Sequence, residues 1–271
     1  MQTDTNLIRN FGRLPSPPDQ RDYQLAAFME MPVVQMRRVL FGQRKVWAYD
    51  RVLDQGNTNH CVGFAFADFG NTLPIDSKQT IESANTIYYA AKEIDGEPES
   101  EDGTNLRSGA KAFKQTGRID AYAFAHTVDE IAAWLLNRGP VVMGTNWYEG
   151  MSQPDANGFV KPSGTCVGGH AWLLIGVDWR NPLNRYFVGL NSWSARWGVN
   201  GMFNLRASNL ARLMREGGEA VTAVELPLTI TVTTSSGSSS ATVQTEPLAN
   251  ETPSIAPISS TIVPEMTLVN L

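Results

Sequence analysis

The chain has 271 residues, 42% of them hydrophobic, with a net charge of −5 and two cysteines, which is enough apolar material for one large domain or two small ones. The modest negative charge disfavours a nucleic-acid partner, and two cysteines exclude a disulfide framework. No apolar run of roughly 18 residues is present to span a membrane, and the opening MQTDTNLIRNFG lacks the charged-then-apolar pattern of a secretory signal, so a reducing, cytoplasmic setting is expected.

In chain order, residues 1–45 read as an N-terminal arm. Its stretch LPSPPDQRDYQL, from Leu14 to Leu25, carries three prolines that exclude regular helix or central strand, which predicts an ordered surface segment. Arg37, Arg38, Arg44 and Lys45 form the only basic cluster and read as a solvated face. From Cys61 the pattern CVGFAFADFG places small and aromatic residues at helical spacing. A second helix fits Thr80 to Ile94, with Ile81, Ala84, Tyr88 and Ala91 on one face. After the acidic run Glu97 to Asp102, a third helix fits Asn105 to Thr116, stopped by Gly117. Thr127 to Glu130 forms a capping box for a fourth, which Gly139-Pro140 ends.

Beyond that point PVVMGTNW, AWLLIGVDW, RYFVGLNSW and GMFNLR are short and rich in branched and aromatic residues, and they read as strands. A helical half followed by a strand-rich half predicts an α+β fold of two lobes, about 46–138 and about 139–226. Residues 227–271 hold 17 Ser or Thr, three acidic groups and no Lys or Arg. They read as a flexible tail, or as an arm in which LTITVT adds to the sheet edge of an assembly partner.

The residues that carry chemistry fall in three blocks. DQGNTNHCVGFAFA places Gln55 six residues before Cys61; Gly168 to Ala171 reads Gly-Gly-His-Ala; Asn191 to Trp193 reads Asn-Ser-Trp. In that order these blocks resemble the papain-like cysteine peptidases, bacterial and viral members included, and the resemblance extends from Leu14 to Leu226. It implies a two-lobed fold in which the helical lobe carries the cysteine and an antiparallel sheet or barrel lobe carries the histidine and asparagine.

It also implies roles. Cys61 is the expected nucleophile, His170 the base and then acid, Asn191 the group that orients the imidazole, and Gln55 the donor to the oxyanion. Trp193 is placed to shield the His170–Asn191 hydrogen bond, and Gly103, Thr104 and Gly169 to line the substrate path. A helix start and a neighbouring imidazolium are expected to lower the thiol pKa. A bridge from Cys61 to Cys166 is the opposing reading and would consume the nucleophile. His60 and Val62 stand where the family usually has Ser and Trp, and His60 reads as an exposed loop residue.

The resulting expectation is hydrolysis of a protein or peptide through a thioester, with no metal and no organic cofactor, in a cytoplasmic or virion-associated protein. Two alternatives keep the fold: a structural or interaction protein of a bacterial or viral assembly, and a thiol amidase acting on cell-wall amides. The arm before Arg44 is also able to lie along the cleft, although nothing in its residues demands it.

Overall fold

The structure, a computed structural model, describes residues 10–29, 35, 40–96 and 103–225. The expected tail, the run Glu97 to Asp102, and Arg37 and Arg38 lie outside the described residues.

Helix α1 (Cys61–Gly70) is buried along its whole length, as a helix apolar on every face apart from one carboxyl must be. Its Phe66 and Phe69 meet Phe113 of α3 (Leu106–Gln115), and α2 (Ile81–Asp95) packs beside both. The helix starts follow the caps in the sequence. The Thr80 hydroxyl accepts from Ser83 N–H at 3.2 Å, and Asn105 accepts from Ser108 N–H at 2.9 Å. Thr127 accepts from Glu130 N–H at 3.1 Å at the start of α4 (Val128–Asn137). Glu130, however, closes the expected box one residue early, accepting from His126 N–H at 2.8 Å.

All four expected strands are present: β6 (Val141–Tyr148), β7 (Cys166–Asp178), β8 (Tyr186–Leu190) and β9 (Met202–Arg206). Four others join them in one sheet: β2 (Tyr23–Gln24), β3 (Arg44–Val46), β5 (Ala121–Ala125) and β10 (Glu219–Val224). The order is β2-β5-β10-β6-β7-β8-β9, with β3 pairing the far end of β7. A separate two-stranded parallel pair joins β1 (Arg13–Leu14) to β4 (Thr104–Asn105).

The sheet divides two cores by strand alternation. Val142, Leu173, Ile175 and Val221 pack with α1, α2 and α3. Met143, Trp172, Leu174 and Ala220 face the other way, toward α4 and α5 (Ala207–Arg215). Helix α4, although it follows the first three helices in sequence, therefore packs with the core on the opposite face of the sheet. The combination of helices and a large, mostly antiparallel sheet is α+β. No helix among the described residues is long and apolar enough to cross a membrane.

One carboxyl lies inside the helical core. Asp68 of α1 is 1% exposed and accepts from Leu53 N–H at 3.3 Å, and burial pushes its pKa well above the usual carboxylate range. The folded protein therefore holds this proton more tightly than the unfolded chain. Stability contributed here is fully present at acid pH and declines as pH rises past the ordinary value of 3.8. Asp68→Asn keeps the acceptor and removes the ionisation. Urea midpoints measured from about pH 4 to about pH 7 are expected to fall less steeply in the variant than in the parent; parallel slopes would contradict this origin.

Candidate active site

Cys61 opens α1, and the neighbouring strand β7 carries His170 and Ala171. The two elements meet closely enough for Ala171 N–H to donate to Cys61 Sγ at 3.4 Å. His170 Nε2 pairs with Asn191 Oδ1 at 2.9 Å, just past the end of β8. The Trp193 ring lies over the imidazole, with centroids 5.0 Å apart and planes inclined by 33°, while Trp147 meets it edge-on at 4.9 Å. Cys61, His170 and Asn191 are wholly buried. Both cysteines are free, so the Cys61–Cys166 bridge is not formed.

Gln55 reaches this group because its loop is fastened to the Asn191 segment. Asp54 bridges Trp193, Gln55 N–H donates to Ser192 C=O at 2.9 Å, and Ser194 N–H donates to Leu53 C=O at 3.2 Å. The Ser192 hydroxyl then donates to Gln55 Oε1 at 2.8 Å, which turns the amide NH2 the other way, toward Thr58 C=O at 2.9 Å and Asn10 C=O at 3.3 Å. Ser192 is thus a positioning group for Gln55 that the sequence reading passed over. Its only signal was its place inside Asn-Ser-Trp.

His60 is not an exposed loop residue. It is half-buried, stacked on Tyr88 with centroids 3.8 Å apart, and paired through Nδ1 with Asn85 Oδ1 at 2.8 Å. That clamp holds it away from service as a second base at Cys61.

The start of the arm lies along the cleft, as its residues allow without demanding. Residues 11–13 do not run over the surface; Gly12 and Arg13 are buried in the groove beside the thiol. Gly12 N–H donates to Cys61, and Thr104 N–H donates to Gly12 C=O at 2.9 Å, next to the β1–β4 pairing. Phe11 meets His170 edge-on at 5.6 Å and Trp193 at 6.1 Å. Gly103, Thr104 and Gly169, expected to line a substrate path, all face this segment. A Cβ on Gly103 would lie 2.6 Å from Gly12 C=O, and one on Gly169 would strike Arg13 C=O. Outside the groove, Arg107 of α3 grips Asp22 with Nε–Oδ1 at 2.9 Å and also donates to Pro17 C=O, while β2 joins β5.

Burial of the thiol reverses one electrostatic expectation. Burial pushes the Cys61 thiol pKa up, and the hydrogen bonds from Ala171, Gly12 and Val62 N–H groups pull it down by less. A helix start works against desolvation here, and desolvation wins.

The fold and the sequence both have counterparts among known proteins. Residues 55–218 match the profile of the papain family cysteine proteases. The chain is 24% identical over 265 residues to an uncharacterised peptidase C1-like protein of Acanthamoeba polyphaga mimivirus, covering 74% of this chain and 83% of that one. It is 29% identical over 131 residues to the cathepsin B-like cysteine proteinase 5 of Caenorhabditis elegans, covering 46% of this chain and 37% of that protein. The crystal structure of xylellain, a cysteine protease from Xylella fastidiosa, superposes with a TM-score of 0.58 at 20% identity, over 83% of this chain and all of that one. The protein is a cysteine peptidase by descent. It belongs to the papain family.

The Ser192–Gln55 hydrogen bond gives a direct check. Ser192→Ala leaves Gln55 Oε1 buried without its donor, and losing a buried hydrogen bond costs about 1–3 kcal/mol. Turnover of a peptide substrate should drop about tenfold in kcat with KM little changed. A rise in KM alone would instead place Ser192 in ground-state binding.

Proposed function

We propose that the protein hydrolyses peptide bonds with Cys61 as nucleophile. The observation that carries this reading is the meeting of α1 with β7, which sets Cys61 Sγ 3.4 Å from the N–H of the residue after His170, while His170 Nε2 is held 2.9 Å from Asn191 Oδ1. With Nε2–H committed to Asn191, Nδ1 is the ring nitrogen left to exchange a proton with the thiol.

His170 takes the Cys61 proton, and the thiolate attacks the substrate carbonyl carbon. The oxyanion so formed accepts from the Gln55 NH2 and the Cys61 backbone N–H, a stabilisation that for one such donor amounts to about 2.7–4 kcal/mol. The C–N bond breaks, the His170 proton goes to the leaving amine, and a thioester remains on Cys61. Water deprotonated by His170 attacks that thioester, and the acid product leaves as the thiol is restored. Asn191 orients the imidazole without adding charge, and the Trp193 ring excludes water from their hydrogen bond. Gly103, Thr104 and Gly169 offer the substrate backbone an N–H and two places without a Cβ.

The arm acts in this reading as a plug that holds the enzyme in a resting form. It sets the Gly12 N–H, a hydrogen-bond donor rather than an electrophilic carbonyl carbon, on the sulfur, and it keeps the thiol protonated by excluding water. The plug is fastened by Arg13, whose guanidinium pairs with Glu219 and donates to Gly217 C=O at 2.9 Å.

Incubation with an epoxysuccinyl thiol inhibitor followed by intact mass tests both parts. One adduct is expected on the native protein and none on Cys61→Ala; an adduct that persists in Cys61→Ala would overturn the nucleophile. Arg13→Ala, which removes one partner of a buried charge pair, is expected to speed labelling by about tenfold or more. A labelling rate equal to that of the parent would mean that the arm does not control access.

A further inference from the structure

Lys92 is the one buried lysine among the described residues, at 6% exposure, and the proposed chemistry gives it no part. Lysine is seldom buried without a partner. Its Nζ donates to Gly103 C=O at 3.1 Å, and one turn earlier on α2 the Tyr88 hydroxyl accepts from Gly103 N–H at 2.9 Å. The two side chains stand on one helix face, so together they hold both polar groups of a single residue. That residue has φ +103°, a conformation that favours glycine. Glycine has other conformations open to it, and the grip selects this one.

Gly103 C=O and Thr104 N–H belong to the same peptide unit. In a trans peptide the two point in opposite directions, so a donor that fixes the oxygen on the α2 side aims the N–H away from that helix, into the groove. There Thr104 N–H donates to Gly12 C=O at 2.9 Å. The Thr104 hydroxyl donates to Asp95, the last residue of α2, which fastens the next residue to the same helix. A charged donor makes a stronger hydrogen bond than a neutral one, and a peptide whose oxygen is so bonded donates better through its N–H. The same helix reaches the nucleophile, because the Tyr88 ring stacks on His60, the residue before Cys61, with centroids 3.8 Å apart. Helix α2 thereby sets the spacing between the thiol and the backbone donor.

We infer that Lys92, with Tyr88 as its companion grip, is a positioning residue for peptide binding: through the Gly103–Thr104 peptide it aims and strengthens the N–H that takes a carbonyl of the substrate backbone. This rests on the peptidase reading and deepens it. A substrate that displaces the arm inherits the donor that Gly12 C=O occupies. The contact is to main chain, so Lys92 raises affinity for any peptide and selects none by sequence.

The opposing reading is that Lys92 only stabilises the fold. Two rates on the full-length protein separate the readings. One is alkylation of Cys61 by iodoacetamide, which forms a C–S bond, expels iodide and needs no backbone donor; the other is kcat/KM for the acyl-tripeptidyl aminomethylcoumarin that the parent turns over best. Arm occupancy and thiol reactivity enter both alike, so the ratio of kcat/KM to alkylation rate reports how the open cleft holds a peptide. Lys92→Met keeps the length of the side chain and removes the donor. The ratio is expected to fall about tenfold, through KM with kcat little changed, and to return to within about threefold of the parent in Lys92→Arg. An unchanged ratio in Lys92→Met, or one equally low in Lys92→Arg, would overturn the assignment. If Lys92→Met does not fold, Tyr88→Phe decides: it keeps the ring on His60, removes the acceptor for Gly103 N–H and is expected to lower the ratio about threefold, whereas an unchanged ratio there would overturn the grip. Peptide turnover that is absent in the parent, or that survives Cys61→Ala, would overturn the catalytic reading beneath it instead.

Discussion

The contact of α1 with β7 is the constraint on which the rest of the molecule depends. Cys61 and His170 are distant in sequence, and each sits at a fixed place on a rigid element: the first residue of a fully buried helix, and a buried position on a strand with neighbours on both sides. Packing of Ala65 and Phe64 against the sheet face bearing Leu173 and Ile175 sets the distance from sulfur to strand. A close-packed interior transmits little slack, so the polar contact at Cys61 inherits the precision of the apolar contact beneath it. Gln55 and Asn191 follow, because their segments are bonded to each other by main chain rather than by their functional side chains.

At Cys61 two influences oppose one another: the N–H groups of the helix start and the neighbouring strand favour the thiolate, burial favours the thiol, and burial dominates. In the proposed resting form, departure of the arm would readmit water and shift that balance toward the thiolate. The buried Asp68 on the same helix is set by burial in the same way, with no arm involved.

Much of this was readable in the residues. Helices α2, α3 and α4 announce themselves with Thr80, Asn105 and Thr127, since unpaired N–H groups at a helix start demand such side chains. Gln55, Cys61, His170 and Asn191 stood out as candidates because a thiol nucleophile is served by a base, a group that orients the base and a donor to the oxyanion. Strand β5, AYAFA, was hidden by the lack of any polar residue to alternate with its apolar ones, β10, EAVTAV, by small residues in place of branched ones at two of its six positions, and α5 by the absence of a capping side chain at its start. The arm in the groove left no trace in composition. Its fit relies on backbone N–H and C=O groups that every residue owns, and on empty space at Gly103, Gly144 and Gly169. Its one distinctive pair, Arg13 with Glu219, joins residues 206 positions apart, where no local pattern relates them.

The proline-rich stretch between β1 and β2 has a further consequence. With β2 stitched to β5 and Asp22 held by Arg107, the groove-bound residues are tied to the body by a short connection containing Pro15, Pro17 and Pro18. Such a tether keeps the arm at an effective concentration on the order of millimolar. Dilution does not dislodge it, and its occupancy is the same whether the protein is scarce or abundant. In the proposed resting form a peptide arriving from solution competes with that local concentration, so the substrate level at which the enzyme would wake depends on the length and stiffness of a loop as well as on the shape of the cleft.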